Sequence, residues 1–371
     1  MNKQATKQHL DWIDALKGIA MILILMIHTD AGARLPKVLS PIGYNGWVGV
    51  VIFFLISSFL LYKSLHNYFC QTPYSFKSIH SWIKKKFFHF IPLFYLALLF
   101  GIYMGGNKTW IGSELTITVY NIITHLFFVH GLFPRYSNSI LGVEWYIGTL
   151  ALFIWIIPFL FKYINTLTRS ILAFLISIPT VFYINSYLIN LTYFSNPIDL
   201  KVYNSFIKDF CIFENLPTLF LGIVLYYIFK YITTTEIKNK KILSYLLLLI
   251  SVVLIYDASI FGNHSLFIIN THTLWSITFS IFIISQILYQ NKIICNNFFK
   301  VIGRYSWPIY LFHLYLIYAY KKYLNFSFSS STLNWSIEFV FVLISSLALA
   351  YGLTRFVNSP ILNWLSFKNK K

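Results

Sequence analysis

Residues 10–30 read LDWIDALKGIAMILILMIHTD: two acids and a lysine, an unbroken apolar run from Ile19 to Ile27, then His28, Thr29 and Asp30. The block they belong to, residues 13–31, has the length that carries an α-helix across a hydrocarbon core of about 30 Å. Nine more such blocks follow, near 44–64, 87–104, 141–161, 170–189, 210–230, 242–260, 267–289, 304–322 and 335–357. A stretch near 117–133 is interrupted by His125 and His130 and reads as a re-entrant or interfacial helix. The expectation is an all-α, polytopic membrane protein with about ten transmembrane helices and one short re-entrant or interfacial helix, forming a single membrane-embedded domain over residues 1–371.

Composition points the same way. Of the 371 residues 57% are hydrophobic and 11% charged, and mean hydropathy is +0.67, whereas soluble domains carry about a quarter charged residues. A water-soluble globule and a disordered chain are both excluded. The net charge of +18 would raise nucleic acid as a partner on a soluble protein. Between apolar spans, basic residues act instead as topology determinants and contacts for anionic head groups, so the lipid bilayer is the expected partner and nucleic acid is not. With ten spans, 21 of the 29 lysines and arginines fall on one side, which the positive-inside rule makes the cytoplasm. Both termini are expected there. The start imitates a cleavable signal ending at Ala31-Gly32-Ala33. It is longer than the usual apolar core of a signal, contains Lys17 and His28, and precedes further spans, so it reads as an uncleaved first helix. Cys70, Cys211 and Cys295 suggest neither a disulfide framework nor a metal site, and no metal-ligand, phosphate-loop or nucleophile-elbow motif is present.

Ionisable groups inside spans are costly and therefore the first candidates for function. Lys17 and His28 stand eleven positions apart, which leaves them within about 20° of one helical stripe and about 16 Å apart along the axis. Either Lys17 snorkels to head groups while His28 settles at the other interface, or the two bracket a long ligand, anionic at one end and reactive at the other. Gly43, Gly46 and Gly49 precede a run containing Ser57 and Ser58, a pattern that permits close helix packing. Lys86 and His89 share a face at the mouth of the third span, as a topology signal or as a basic binding site. Glu144 enters the fourth span before Trp145 and Tyr146, as a head-group-level carboxylate or as the partner that orients His28. Tyr310 and His313 lie in a span interrupted by Pro308, as core hydrogen-bonding groups or as part of a site.

These residues sit in motifs that resemble the acyltransferase type 3 family, integral membrane enzymes that modify surface sugars and similar acceptors. Lys17 and His28 look like the family's basic residue, ten positions, then histidine. The run from Gly46 to Leu60 looks like G-x-x-G-V-x-x-F-F-x-x-S-x-F-L, and KKKFFHFIP, ending at Pro92, looks like basic-x-x-basic-x-x-Pro. SILGVEWYIGTL resembles the Ser-Leu-x-x-Glu segment, with its acid at Glu144, and YSWPIYLFH resembles S-x-x-I-Y-L-x-H, ending at His313. The likeness spans nearly the whole chain, and the opening is most similar to a branch that O-acetylates surface glycans. Departures are Lys17, Lys86 and His89 where arginines are usual, Val51 and Ser58 in the second span, and Asn358-Ser359-Pro360 near the end. Lysine lacks the planar fork with which arginine grips phosphate.

The resemblance implies acyl-CoA, and acetyl-CoA in particular, as co-substrate, with no tightly bound cofactor and no metal. Lys17, Lys86 and His89 would bind the donor. His28, oriented by a carboxylate such as Glu144, would be the general base toward a hydroxyl of a cell-surface or lipid-linked saccharide; an acyl-histidine relay is the variant. Resemblance and a composition rich in Ile, Phe, Tyr, Asn and Lys imply a bacterial inner membrane. The rival readings are a non-catalytic exporter or flippase of a lipid-linked glycan, and an inactive or structural family member.

Overall fold

The structure, a computed structural model, describes residues 10–106, 108–110, 116–190, 197–261, 268–324, 326 and 328–361. Ten helices carry the architecture: α1 Asp11–His28, α2 Val48–Phe69, α3 Phe76–Gly105, α4 Trp145–Leu160, α5 Leu167–Asn190, α6 Ile212–Thr234, α7 Lys240–Phe261, α8 Thr271–Leu288, α9 Ser306–Ala319 and α10 Ser331–Leu353. Among the described residues there is no strand, only an isolated antiparallel bridge between Lys108 and Thr116. Lys3, Lys7, Lys368, Lys370 and Lys371, which count in the charge asymmetry, lie outside the described residues, as do both ends of the chain and residue 267.

Each apolar block carries one of these helices, and among the described residues seven, α2, α3, α5, α6, α7, α8 and α10, are long and apolar enough to cross a membrane. The other three depart from the hydropathy reading for local reasons. In α1, Asp11, Asp14 and Lys17 are packed into 18 residues. In α4 there are 16 residues, about 24 Å at helical rise, because residues 141–144 are drawn into a turn around the Glu144 carboxylate. In α9 there are 14, because Arg304 closes the separate helix Asn297–Arg304 and residues 320–322 belong to the π-helical turn Tyr320–Leu324. The structure thus supports seven spans where the pattern predicts about ten. The stretch near 117–133 forms the short helix Val119–Leu126 and a 3₁₀ turn, with Val119, Tyr120 and Phe127 outward and His125 and His130 buried.

Burial separates inner from outer helices. Most of α2, α6 and α8 is buried, whereas α5 and α7 leave Leu175, Ile176, Leu249 and Val253 uncovered. An apolar exterior of this extent is stable only against lipid, and the chain is a multi-pass membrane protein. Inside, a side chain at Gly49 would collide with the Ala20 carbonyl, so the missing Cβ lets α2 lie directly on α1. Ser58 ties α2 to α6 by donating to the Leu219 carbonyl at 2.5 Å.

Both ends of α1 are anchored. At its start Asp11 and Asp14 pair with Lys300 (3.0 Å) and Arg304 (3.2 Å). At its end the Trp335 indole donates to the Thr29 hydroxyl (3.0 Å), and Lys321 pairs with Asp30 (3.2 Å). The positions of Lys17 and His28 are set by this double attachment.

Candidate active site

His28 is the last residue of α1, where the Thr29 hydroxyl takes up the Leu25 carbonyl at 2.8 Å. Its Nδ1 lies 2.8 Å from Nε2 of His313, the rings stacked at 4.9 Å. His313 is fully buried on α9, with Nδ1 2.8 Å from the Tyr310 carbonyl and 3.2 Å from the Ile309 carbonyl. A carbonyl only accepts, so His313 Nδ1 carries the proton and donates. In neutral His313 the lone pair then sits on Nε2, His28 Nδ1–H donates to it, and the lone pair of His28 is left on Nε2. Hydrogen-bond valence alone therefore leaves neutral His28 with its lone pair on one defined nitrogen. The two histidines are 285 positions apart, which is why the sequence gives no sign of the pair.

Glu144 does not take the place expected for it beside His28. Its carboxylate is fully buried and accepts from the backbone N–H groups of Ile140 (2.6 Å), Leu141 (3.1 Å) and Val143 (3.1 Å). His125 Nε2 lies 3.5 Å from the same carboxylate, and His130, stacked on His125 at 4.2 Å, donates from Nε2 to the Glu144 carbonyl at 3.2 Å. A buried carboxylate must collect such donors, and the nearest are the orphan amides of the turn that precedes its own helix. Glu144 thus shapes the 140–143 turn, and that turn reaches the site: the Val143 carbonyl accepts from the Tyr310 hydroxyl at 2.7 Å.

The three basic positions converge. Lys17 from α1 and Lys86 and His89 from α3 line one cavity of about 360 Å³, together with Ser57, Tyr146 and Tyr310. Tyr146 and Ser57 are hydrogen-bonded across it at 2.7 Å, and the Lys86 ammonium lies 5.2 Å from the Trp82 ring centre. His28 lines a second cavity of about 280 Å³ with Tyr310, Trp47, Asp209 and His272. Lys17 and His28 therefore share a helical stripe but face different cavities, and Tyr310 is a wall common to both. A third cavity of about 700 Å³ borders the second, with Trp47, Asp209 and His272 in common. The order is basic cavity, Tyr310, His28 cavity, then this vestibule.

Trp47, Asp209 and His272 escape the sequence reading. His272 Nδ1 donates to the Asn215 side-chain oxygen at 3.2 Å, and its Nε2 lies 3.9 Å from Asp209. The available signal was a titratable group in the first turn of an apolar block, the same signal that draws attention to Glu144, and it applies equally to His272 and Glu214.

The arrangement as a whole is a cationic cavity, an imidazole with a fixed lone pair and a polar cavity beyond it, suited to passing a group from an anionic donor to a polar acceptor. Comparison with curated proteins finds no match, whereas the family model described as an acyltransferase domain matches residues 10–355, which span α1 to the end of α10 and every residue of the site. The chain belongs to the acyltransferase type 3 family.

Proposed function

We propose that the protein is a membrane O-acetyltransferase that moves acetyl from cytoplasmic acetyl-CoA to a hydroxyl of a surface or lipid-linked saccharide, in a bacterial cell membrane with both termini cytoplasmic. The observation that carries this reading is the His28–His313 hydrogen bond, which leaves His28 Nε2 as acceptor in a cavity beside the one lined by Lys17, Lys86 and His89. The anionic part of the donor sits among those cations, and its thioester end reaches His28 past Tyr310.

His28 Nε2 takes the proton of the acceptor hydroxyl as that oxygen attacks the thioester carbonyl. Collapse of the tetrahedral intermediate breaks the carbon–sulfur bond, and the departing thiolate takes the proton from the His28 imidazolium. The products are an acetyl ester and free coenzyme A thiol, with His28 restored. A general base of this kind contributes about 10² to 10⁴-fold. His313 assumes the orienting role that the sequence offered to Glu144, because a partner for His28 Nδ1–H need only accept.

Membranes carrying the protein are incubated with radiolabelled acetyl-CoA, and label in extracytoplasmic glycan is counted. His28→Ala, inserted at normal levels, should lose label by at least about 10²-fold. Unchanged labelling would overturn the assignment.

A further inference from the structure

The 700 Å³ vestibule is not used by the donor or by the base, yet it joins the His28 cavity through Trp47, Asp209 and His272. Its chemistry is lopsided. Among the described lining residues Asp209 and Glu214 bring two carboxylates, one half-exposed and one buried, against one ammonium, Lys208, and the His272 imidazole 3.9 Å from Asp209. Asn185 donates through Nδ2 to the Glu214 carboxylate at 2.5 Å, while its buried Oδ1 has no protein partner among the described residues. The wall that adjoins the His28 cavity carries the Trp47 indole, tilted 35° against the His272 ring with the ring centres 4.9 Å apart.

From this lining we infer that the vestibule is the acceptor subsite and takes a non-acidic pyranose; the inference rests on the acyl-transfer reading and extends it to the choice of sugar. Two carboxylates and the unpartnered Asn185 oxygen offer acceptor sites, which suit a ligand with several donors, and a ring bearing several hydroxyls is such a ligand. A pair of neighbouring hydroxyls suits a carboxylate, which accepts a hydrogen bond from each and keeps its charge. The Trp47 face suits the C–H side of the ring. An anionic sugar, a uronate for instance, would bring its own carboxylate beside Asp209 and Glu214, a like-charge contact that the one ammonium of Lys208 does not balance. The subsite therefore selects by repulsion as well as by fit.

The test uses the detergent-solubilised full chain without acetyl-CoA, and saturation-transfer NMR with methyl glucoside and methyl glucuronide as probes. Methyl glucoside should receive saturation and methyl glucuronide should bind at least about tenfold more weakly. Trp47→Ala should abolish the glucoside signal, and Asp209→Asn, at a half-exposed position that does not threaten the fold, should narrow the discrimination between probes. Equal binding of the two probes, or a glucoside signal indifferent to both substitutions, would overturn the inference. Because no donor is present, the outcome is separable from the transfer reaction: label transfer without glucoside binding here would sink the subsite alone. Selective glucoside binding in a protein that transfers no acetyl would leave the subsite standing and sink the transfer reading.

Discussion

An imidazole whose Nδ1 proton is engaged can act as a base only through Nε2, and at His28 that engagement runs through His313 to the carbonyls of Tyr310 and Ile309. Removing the acceptor frees the tautomer. His313→Ala is expected to lower kcat on the order of 10²-fold with KM for acetyl-CoA unchanged, since nothing in the Lys17 cavity is altered; steady-state kinetics would refute the orienting role of His313 by returning wild-type kcat. Glu144 is a different kind of residue. Three backbone N–H groups converge on its two oxygens, and in Glu144→Gln a side-chain N–H₂ must face one of them. The cost is about 1–3 kcal/mol for a buried donor left unmet, and the melting temperature should fall with it. Activity should fall in parallel, because the Val143 carbonyl that holds Tyr310 belongs to the same turn. A Glu144→Gln protein that loses activity at an unchanged melting temperature would instead return Glu144 to a direct chemical role.

Helices in this bundle are placed by what their surfaces omit as much as by what they carry. The absence of a Cβ at Gly49 lets α2 contact the backbone of α1 near Ala20, and at Gly303 it lets the Asn297–Arg304 helix contact the backbone of α1 near Asp14. Between these contacts α1 is clamped along its length, and Lys17 and His28 stay in register with α3 and α9. Gly49→Val adds three carbons against a carbonyl on a rigid helix, so it should destabilise the fold by about 1–3 kcal/mol. Thermal unfolding of the solubilised protein checks this, and a melting temperature within error of wild type would mean that the α1–α2 contact is loose. Hydropathy exposed these elements well, because apolar length and glycine spacing are local properties of a chain crossing lipid. It misread the start of α4, where a single buried carboxylate recruits the amides of residues 140–143 and forms a turn in place of another helical turn. The candidate site divided along the same line. Lys17, Lys86, His89 and His28 could be singled out as candidates from position along their own helices and from the family resemblance, while the His28–His313 pair and the Trp47–His272 wall depend on contacts between distant segments.

Across the whole molecule, everything proposed for the reaction requires the Lys86 end and the Asp209 end to face opposite sides of the bilayer, and that turns on α4. Between the start of α3 and the start of α6 the chain runs through α3, α4 and α5. If all three cross, Lys85 and Asp209 lie on opposite faces; if α4 does not, they lie on the same one. At 16 residues α4 spans about 24 Å against a core of about 30 Å, a shortfall that local thinning of the bilayer absorbs at a fraction of a kcal/mol per Å. Its flanks favour crossing: Trp145 stands at one end and Lys162 at the other, an aromatic anchor and a snorkelling cation. The charges agree, with Lys77, Lys84, Lys85 and Lys86 crowded into the first turns of α3 and few basic residues at the start of α6. In a chain whose Cys70, Cys211 and Cys295 are replaced by serine, a cysteine introduced by Asp209→Cys should react with a membrane-impermeant maleimide on intact cells. One introduced by Lys85→Cys should react only after permeabilisation. Both positions are open enough to label, so labelling of the two from the same side would show that α4 folds back without crossing, and a donor cavity and an acceptor vestibule on opposite faces would then be ruled out.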